Sequence, residues 1–77
     1  MITPEQLMAY FLVNYEHPQY FRSDLPIQVC VNPNGMYYIG QMEGHTPYAR
    51  LSCEYFATRE EAQLAMETGQ FNAKLWP

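Results

Sequence analysis

The stretch Ile27–Met42 constrains this chain more than any other. Ile27, Val29 and Val31 alternate with Gln28 and Cys30, the period of a strand with one inward face. Asn32-Pro33-Asn34-Gly35 follows, and then Met36-Tyr37-Tyr38-Ile39-Gly40-Gln41-Met42. Pro33 presets φ for the first central position of a turn and Asn34 suits the second. Gly35 accepts the left-handed conformation after it. The segment therefore reads as an antiparallel hairpin closed by a type I turn with a glycine bulge. Both faces of the Met36–Met42 strand are apolar, so the pattern leaves open which face Tyr37 and Tyr38 each take.

A hairpin by itself is marginal in water, so its flanks must cover it. Thr3-Pro4-Glu5-Gln6 opens a helix, with Thr3 as N-cap, Pro4 at the first helical position and Gln6 reaching back as a capping box. Ile2 before the cap pairs with Leu7 as a hydrophobic staple. Leu7, Met8, Phe11, Leu12 and Tyr15 form one stripe, and His17-Pro18 ends the helix near Tyr15. Between Pro18 and Pro26 the chain is irregular, with Tyr20 and Phe21 as anchors. Glu43-Gly44-His45-Thr46-Pro47 reads as a loop, and Tyr48–Ala57 as a third strand. Its Ala49, Leu51, Cys53 and Tyr55 are expected to face the helices, opposite to Tyr48, Arg50, Ser52 and Glu54.

A second capping box, Thr58 with Glu61, starts another helix that Gly69 stops. Ala62, Ala65 and Met66 give it a close-packing face. The tail Gln70–Pro77 carries Phe71, Leu75 and Trp76, and is either a short fourth strand or a strap over the core. The expected fold is one compact α+β domain over residues 1–77. It has a three-stranded antiparallel sheet with both helices on one face, in the order α-β-β-β-α.

Seventy-seven residues form a core whose stability is marginal without self-association. The opening Met1–Glu5 lacks the basic start of a signal peptide, and no apolar run is long enough to span a membrane. Two cysteines are too few for a disulfide scaffold, so a soluble cytoplasmic protein is expected. The pleat places Cys30 and Cys53 on opposite faces, which also disfavours a bond between them.

The element order of Thr3–Gly69 resembles the double-stranded RNA-binding domain, which implies a sheet backed by two helices. That family meets phosphates with a lysine-rich start to its second helix. Here the position holds Thr58-Arg59-Glu60-Glu61, which would repel them. Arg22, Arg50, Arg59 and Lys74 are the only basic residues against eight acids, a net charge of −4. Nucleic-acid binding needs clustered cations and is not expected.

Chemical signatures are sparse. His17, His45, Cys30 and Cys53 have no close ligand spacing, so no metal site is expected. Gly35 and Gly40 do not form a phosphate loop, and Gly40 reads as a bulge or a close backbone approach. The scattered acids read as solvated surface. No catalytic residue or cofactor is expected.

Seven tyrosines and five methionines are a stronger bias, since both residue types supply broad contact area at interfaces. The plainer account is a small core filled with large side chains. Tyr37, Tyr38, Met42, Tyr48, Arg50, Glu54 and Tyr55 fall on adjacent strands, about half of them facing away from the helices whichever register holds. They form the candidate protein-binding patch.

The leading expectation is thus a non-enzymatic protein-interaction module. In size, acidity and lack of catalytic motifs the chain resembles inhibitor proteins of phages and mobile elements, anti-CRISPR proteins among them, which implies occlusion of a host protein surface. The alternatives are a homodimer with sheets packed face to face and a small enzyme centred on Cys30 or Cys53.

Overall fold

A computed structural model describes all of residues 1–77. Helix α1 spans Pro4–Asn14, strands β1, β2 and β3 span Ile27–Val31, Tyr37–Glu43 and Thr46–Arg50, and helix α2 spans Arg59–Thr68. The sheet is antiparallel in the order β1-β2-β3, so β1 and β3 are its edges. The α+β architecture is the expected one.

The local signals formed, the second capping box only in half: Thr58 Oγ1 accepts the Glu61 N–H, while the Glu61 carboxylate accepts from that hydroxyl rather than from the Thr58 N–H. Thr3 Oγ1 accepts from the Gln6 N–H while Gln6 Oε1 accepts from the Thr3 N–H, a complete capping box. At the hairpin, the Gly35 N–H bonds the Asn32 carbonyl at 3.0 Å and Gly35 has φ 81°. Asn32 Oδ1 also accepts from the Asn34 and Met36 N–H groups, so one side chain braces the reversal. Helix α2 ends on Gly69 at φ 71°.

Both helices lie on one face of the sheet. Leu7, Phe11 and Tyr15 of α1 join Phe21 and Leu51 in the core, and Ile27, Ala49 and Met66 pack against them. Phe21 stacks on Phe11 with ring centroids 5.8 Å apart. Leu12 and Tyr20 fall outside this core and are half exposed, so the α1 stripe is narrower than expected and Phe21 is the aromatic anchor of the loop.

Three departures shape the rest. Glu43 pairs with Thr46, so the expected loop is a two-residue reversal with Gly44 at φ 62°. A bulge at Gln41/Met42 follows and leaves Tyr48 without a partner in the β2·β3 register. The third strand stops at Arg50 rather than Ala57. Leu51 and Ser52 both donate to the Ile39 carbonyl, and the chain rejoins β2 only at Phe56, which exchanges both backbone bonds with Tyr37. Residues 53–55 bulge out between these points, so the expected alternation fails there. Cys53 is exposed, not turned to the helices.

The tail resolves the choice between strand and strap in favour of a strap with one bridge. Ala73 bridges Ser52, the Lys74 N–H bonds the Leu51 carbonyl, and the Cys53 N–H bonds the Asn72 carbonyl. Phe71, Ala73 and Leu75 add apolar surface to the core. The Glu16 N–H bonds the Leu75 carbonyl at 2.8 Å, tying the strap to the end of α1.

Gln41 is fully buried on the helix side. Its amide donates to the carbonyls of Arg22 at 2.6 Å and Leu25 at 2.9 Å, which fastens the 18–26 segment to the sheet. A buried amide satisfied in this way avoids the desolvation cost of an orphan. Gly40 has the opposite requirement. A β-carbon there would collide with the Ala49 carbonyl oxygen and come within 2.9 Å of the Tyr38 ring. Gly40→Ala is expected to lower stability by roughly 1–3 kcal/mol, read as a fall in the urea midpoint at unchanged m-value.

Candidate functional site

Register decides the faces that the sequence left open. Cys30 pairs with Tyr38, and Gln28, Gly40 and Arg50 lie across from one another. Cβ direction alternates along a strand, so these residues share the face turned away from the helices. Tyr37 lies on the opposite face with Ile39. The Arg59 guanidinium of α2 sits 5.1 Å from its ring centroid. The structure therefore removes Tyr37 from the candidate patch.

Tyr38 is on the outer face but only 5% exposed. Its ring lies across Gly40, and Tyr55 meets it edge-on at 5.9 Å. Tyr55 gets there because residues 53–55 leave the ladder and fold back over the outer face. Arg50 completes the stack: its guanidinium is 4.8 Å from the Tyr55 centroid and donates to the Tyr55 hydroxyl. Cation–π and hydrogen bonding here hold both side chains in one arrangement. The middle of the outer face is thus covered by the chain's own Tyr55 and Arg50.

Ser52 makes this possible. Its Oγ accepts the Ile39 N–H at 3.0 Å and donates to the Glu54 carbonyl at 2.9 Å. A side chain stands in for the next rung of the ladder, so the strand can leave without stranding a buried donor.

Tyr48 sits at the β3 edge, where the bulge brings it near Arg22, whose guanidinium is 5.4 Å from the Tyr48 centroid. Arg22 is itself held by Asp24 and Glu43. Hydrogen bonding from Arg22 holds the Asp24 carboxyl below the usual range. Met42 is half-buried at the bulge. Glu54 accepts from the Asn72 N–H and side-chain amide, so it braces the strap.

Of the sequence-derived patch, the structure brings Tyr38, Tyr48, Arg50 and Tyr55 around one shallow depression of about 320 Å³. Lys74, which sequence reasoning did not select, lines it as well. Only the bridge from the strap to Ser52 brings that lysine here, and no local pattern marks it.

Both cysteines are free, Cys30 buried on the outer face and Cys53 exposed on the 53–55 bulge. Burial pushes the Cys30 thiol up, partly offset by a hydrogen bond with Tyr38. Burial likewise pushes up the Tyr38 phenol. No three His, Cys, Asp or Glu side chains are grouped so as to hold a metal ion. No helix is long and apolar enough to cross a membrane. No protein-family model matches the chain, and no curated protein or solved structure matches it either.

Ser52→Ala is expected to cost about 1–3 kcal/mol, because the Ile39 N–H is left buried without an acceptor; equilibrium denaturation measures it. Alkaline stability follows from Cys30 and Tyr38. Both have raised values in the fold, so the folded protein favours their neutral forms. Their contribution is complete at neutral pH and is lost as pH rises through the folded thiol and phenol values. The denaturation midpoint should fall at alkaline pH, and less steeply in Cys30→Ala.

Proposed function

We propose that this chain is a protein-interaction module whose contact surface is the Arg50–Tyr55–Tyr48 corner of the outer sheet face, extended by Lys74. The arrangement of Arg50 on Tyr55 carries the reading. Two side chains of the types that dominate binding hot spots are held in place before any partner arrives. A pre-positioned side chain loses less entropy on binding than a free one. Tyr48, 37% exposed, and Tyr55, 42% exposed, offer aromatic area with a polar tip.

Two of the chain's four cations line the depression, although the chain is acidic overall. The partner that fits is a protein surface presenting carboxylates or carbonyl oxygens beside apolar area. Tyr38 contributes from beneath, as the support for Tyr55, while Tyr37, Met42 and Glu54 fall outside the contact. The more specific reading, an inhibitor of phage or mobile-element type that occludes a host protein, draws support from size and net charge alone. The non-enzymatic reading draws support from Cys30, which is buried and held as a neutral thiol.

Affinity capture from cell lysate tests the proposal. Arg50→Ala and Tyr48→Ala should each reduce recovery of a specific partner by about tenfold or more, as hot-spot truncations do, with circular dichroism unchanged. Recovery of the same partner at wild-type levels by both variants would remove this surface from consideration.

A further inference from the structure

The backbone of β1 is unpaired along its outer edge. Tyr37 and Ile39 direct their N–H and C=O groups at the far side of the sheet, to Phe56 and to Leu51 with Ser52. Backbone groups alternate sides along a strand, so Tyr38 and Gly40 bond Cys30 and Gln28. Ile27, Val29 and Val31 therefore turn their N–H and C=O groups outward. No hydrogen bond from another part of the chain reaches them. Sheet edges are normally guarded by a charge, a proline, a bulge or a covering segment. Ile27-Gln28-Val29-Cys30-Val31 has none of these, and Val31 is 47% exposed.

We propose that this edge pairs with the same edge of a second copy, antiparallel about Val29, to make a continuous six-stranded sheet. Unmade backbone bonds along a regular strand call for another strand, and three observations make that strand the chain's own. First, the edge is self-matching. A two-fold axis at Val29 sets Val29 against its equivalent and Ile27 against the second copy's Val31, with both backbone bonds exchanged in each pair. Second, the apolar side chains of these three residues all lie on the helix side, so the covered face continues across the join.

Third, the charges match. Helix α2 packs across β1 and β2, its first turn toward the Val31 end of β1 and its last toward the Ile27 end. Its Arg59 stands over Tyr37, the partner of Val31, while Glu67 lines one cavity with Ile27. The two-fold axis therefore brings Arg59 of each copy toward Glu67 of the other. Arg59 has no carboxylate partner within its own chain, where the only ion pairs are those of Arg22. Opposite charges facing across a symmetric join favour this pairing over a shifted one.

The edge pairing leaves the Arg50–Tyr55 corner of each copy uncovered, so it goes beyond the proposed partner-binding corner and does not depend on it. Sedimentation equilibrium over a dilution series tests it, together with hydrogen exchange of the Val29 amide. The wild-type chain should approach twice its 9.0 kDa mass, with the Val29 amide protected. Arg59→Glu, a surface change that leaves the Arg50–Tyr55 corner intact, should return it to 9.0 kDa with Val29 exchanging freely. Arg59→Glu combined with Glu67→Arg should restore the dimer. Val29→Pro, which removes an outward N–H, should also be monomeric. A 9.0 kDa species at every concentration with Val29 unprotected would overturn the proposal. So would a dimer indifferent to the charge reversal and to Val29→Pro, or protection of Val29 only when an unrelated protein is added.

Discussion

The Ile39 peptide group is the constraint on which most of this structure depends. Ile39 is fully buried, so its N–H and C=O need partners inside the protein. The carbonyl takes two donors, from Leu51 and Ser52, and the N–H goes to the Ser52 hydroxyl. Because a hydroxyl closes that account, β3 is released from β2 after Leu51. Everything distinctive about the outer face follows from the release. Residues 53–55 swing out, Tyr55 covers Tyr38, and Glu54 becomes available to brace the strap. With the Ser52 hydroxyl holding the Ile39 N–H, Tyr55 is free to leave the ladder.

The strap and the loop compensate for a small core in different ways. The strap adds Phe71, Ala73 and Leu75 to the core and pairs with the stretch that β3 vacates. The 18–26 segment adds Phe21 and is fastened by the Gln41 amide. Each is irregular, and each is fixed by a few polar contacts that accompany apolar burial. In a chain this short, the apolar side chains of these connecting segments belong to the same single core as those of the helices and strands.

Much of the fold was legible in the sequence because its instructions are local. Thr3, Pro4 and Gln6 specify the start of α1 within four residues, and Pro33, Asn34 and Gly35 specify the hairpin. Thr58 and Gly69 bound α2 in the same way. What was not legible depends on contacts between distant segments. The polar–apolar alternation runs through Ser52 to Tyr55 without a mark of the break, since the break rests on a bond to Ile39. The candidate site was half legible for the same reason. Tyr48, Arg50 and Tyr55 were visible as types, but Tyr37 and Tyr38 could be told apart only once the register was set. Lys74 enters through the strap, and Glu54 leaves the site because Asn72 claims it.

The two ends of the chain are fastened to each other's neighbourhoods: the Ile2 N–H bonds the Glu67 carbonyl, and the Glu16 N–H bonds the Leu75 carbonyl. These closures join segments near opposite limits of the sequence. A hairpin of this kind forms in microseconds, whereas closures of such span are slow to find and unrewarded until the intervening chain is ordered. Closures of this span raise the contact order of the fold, and folding slows as contact order rises.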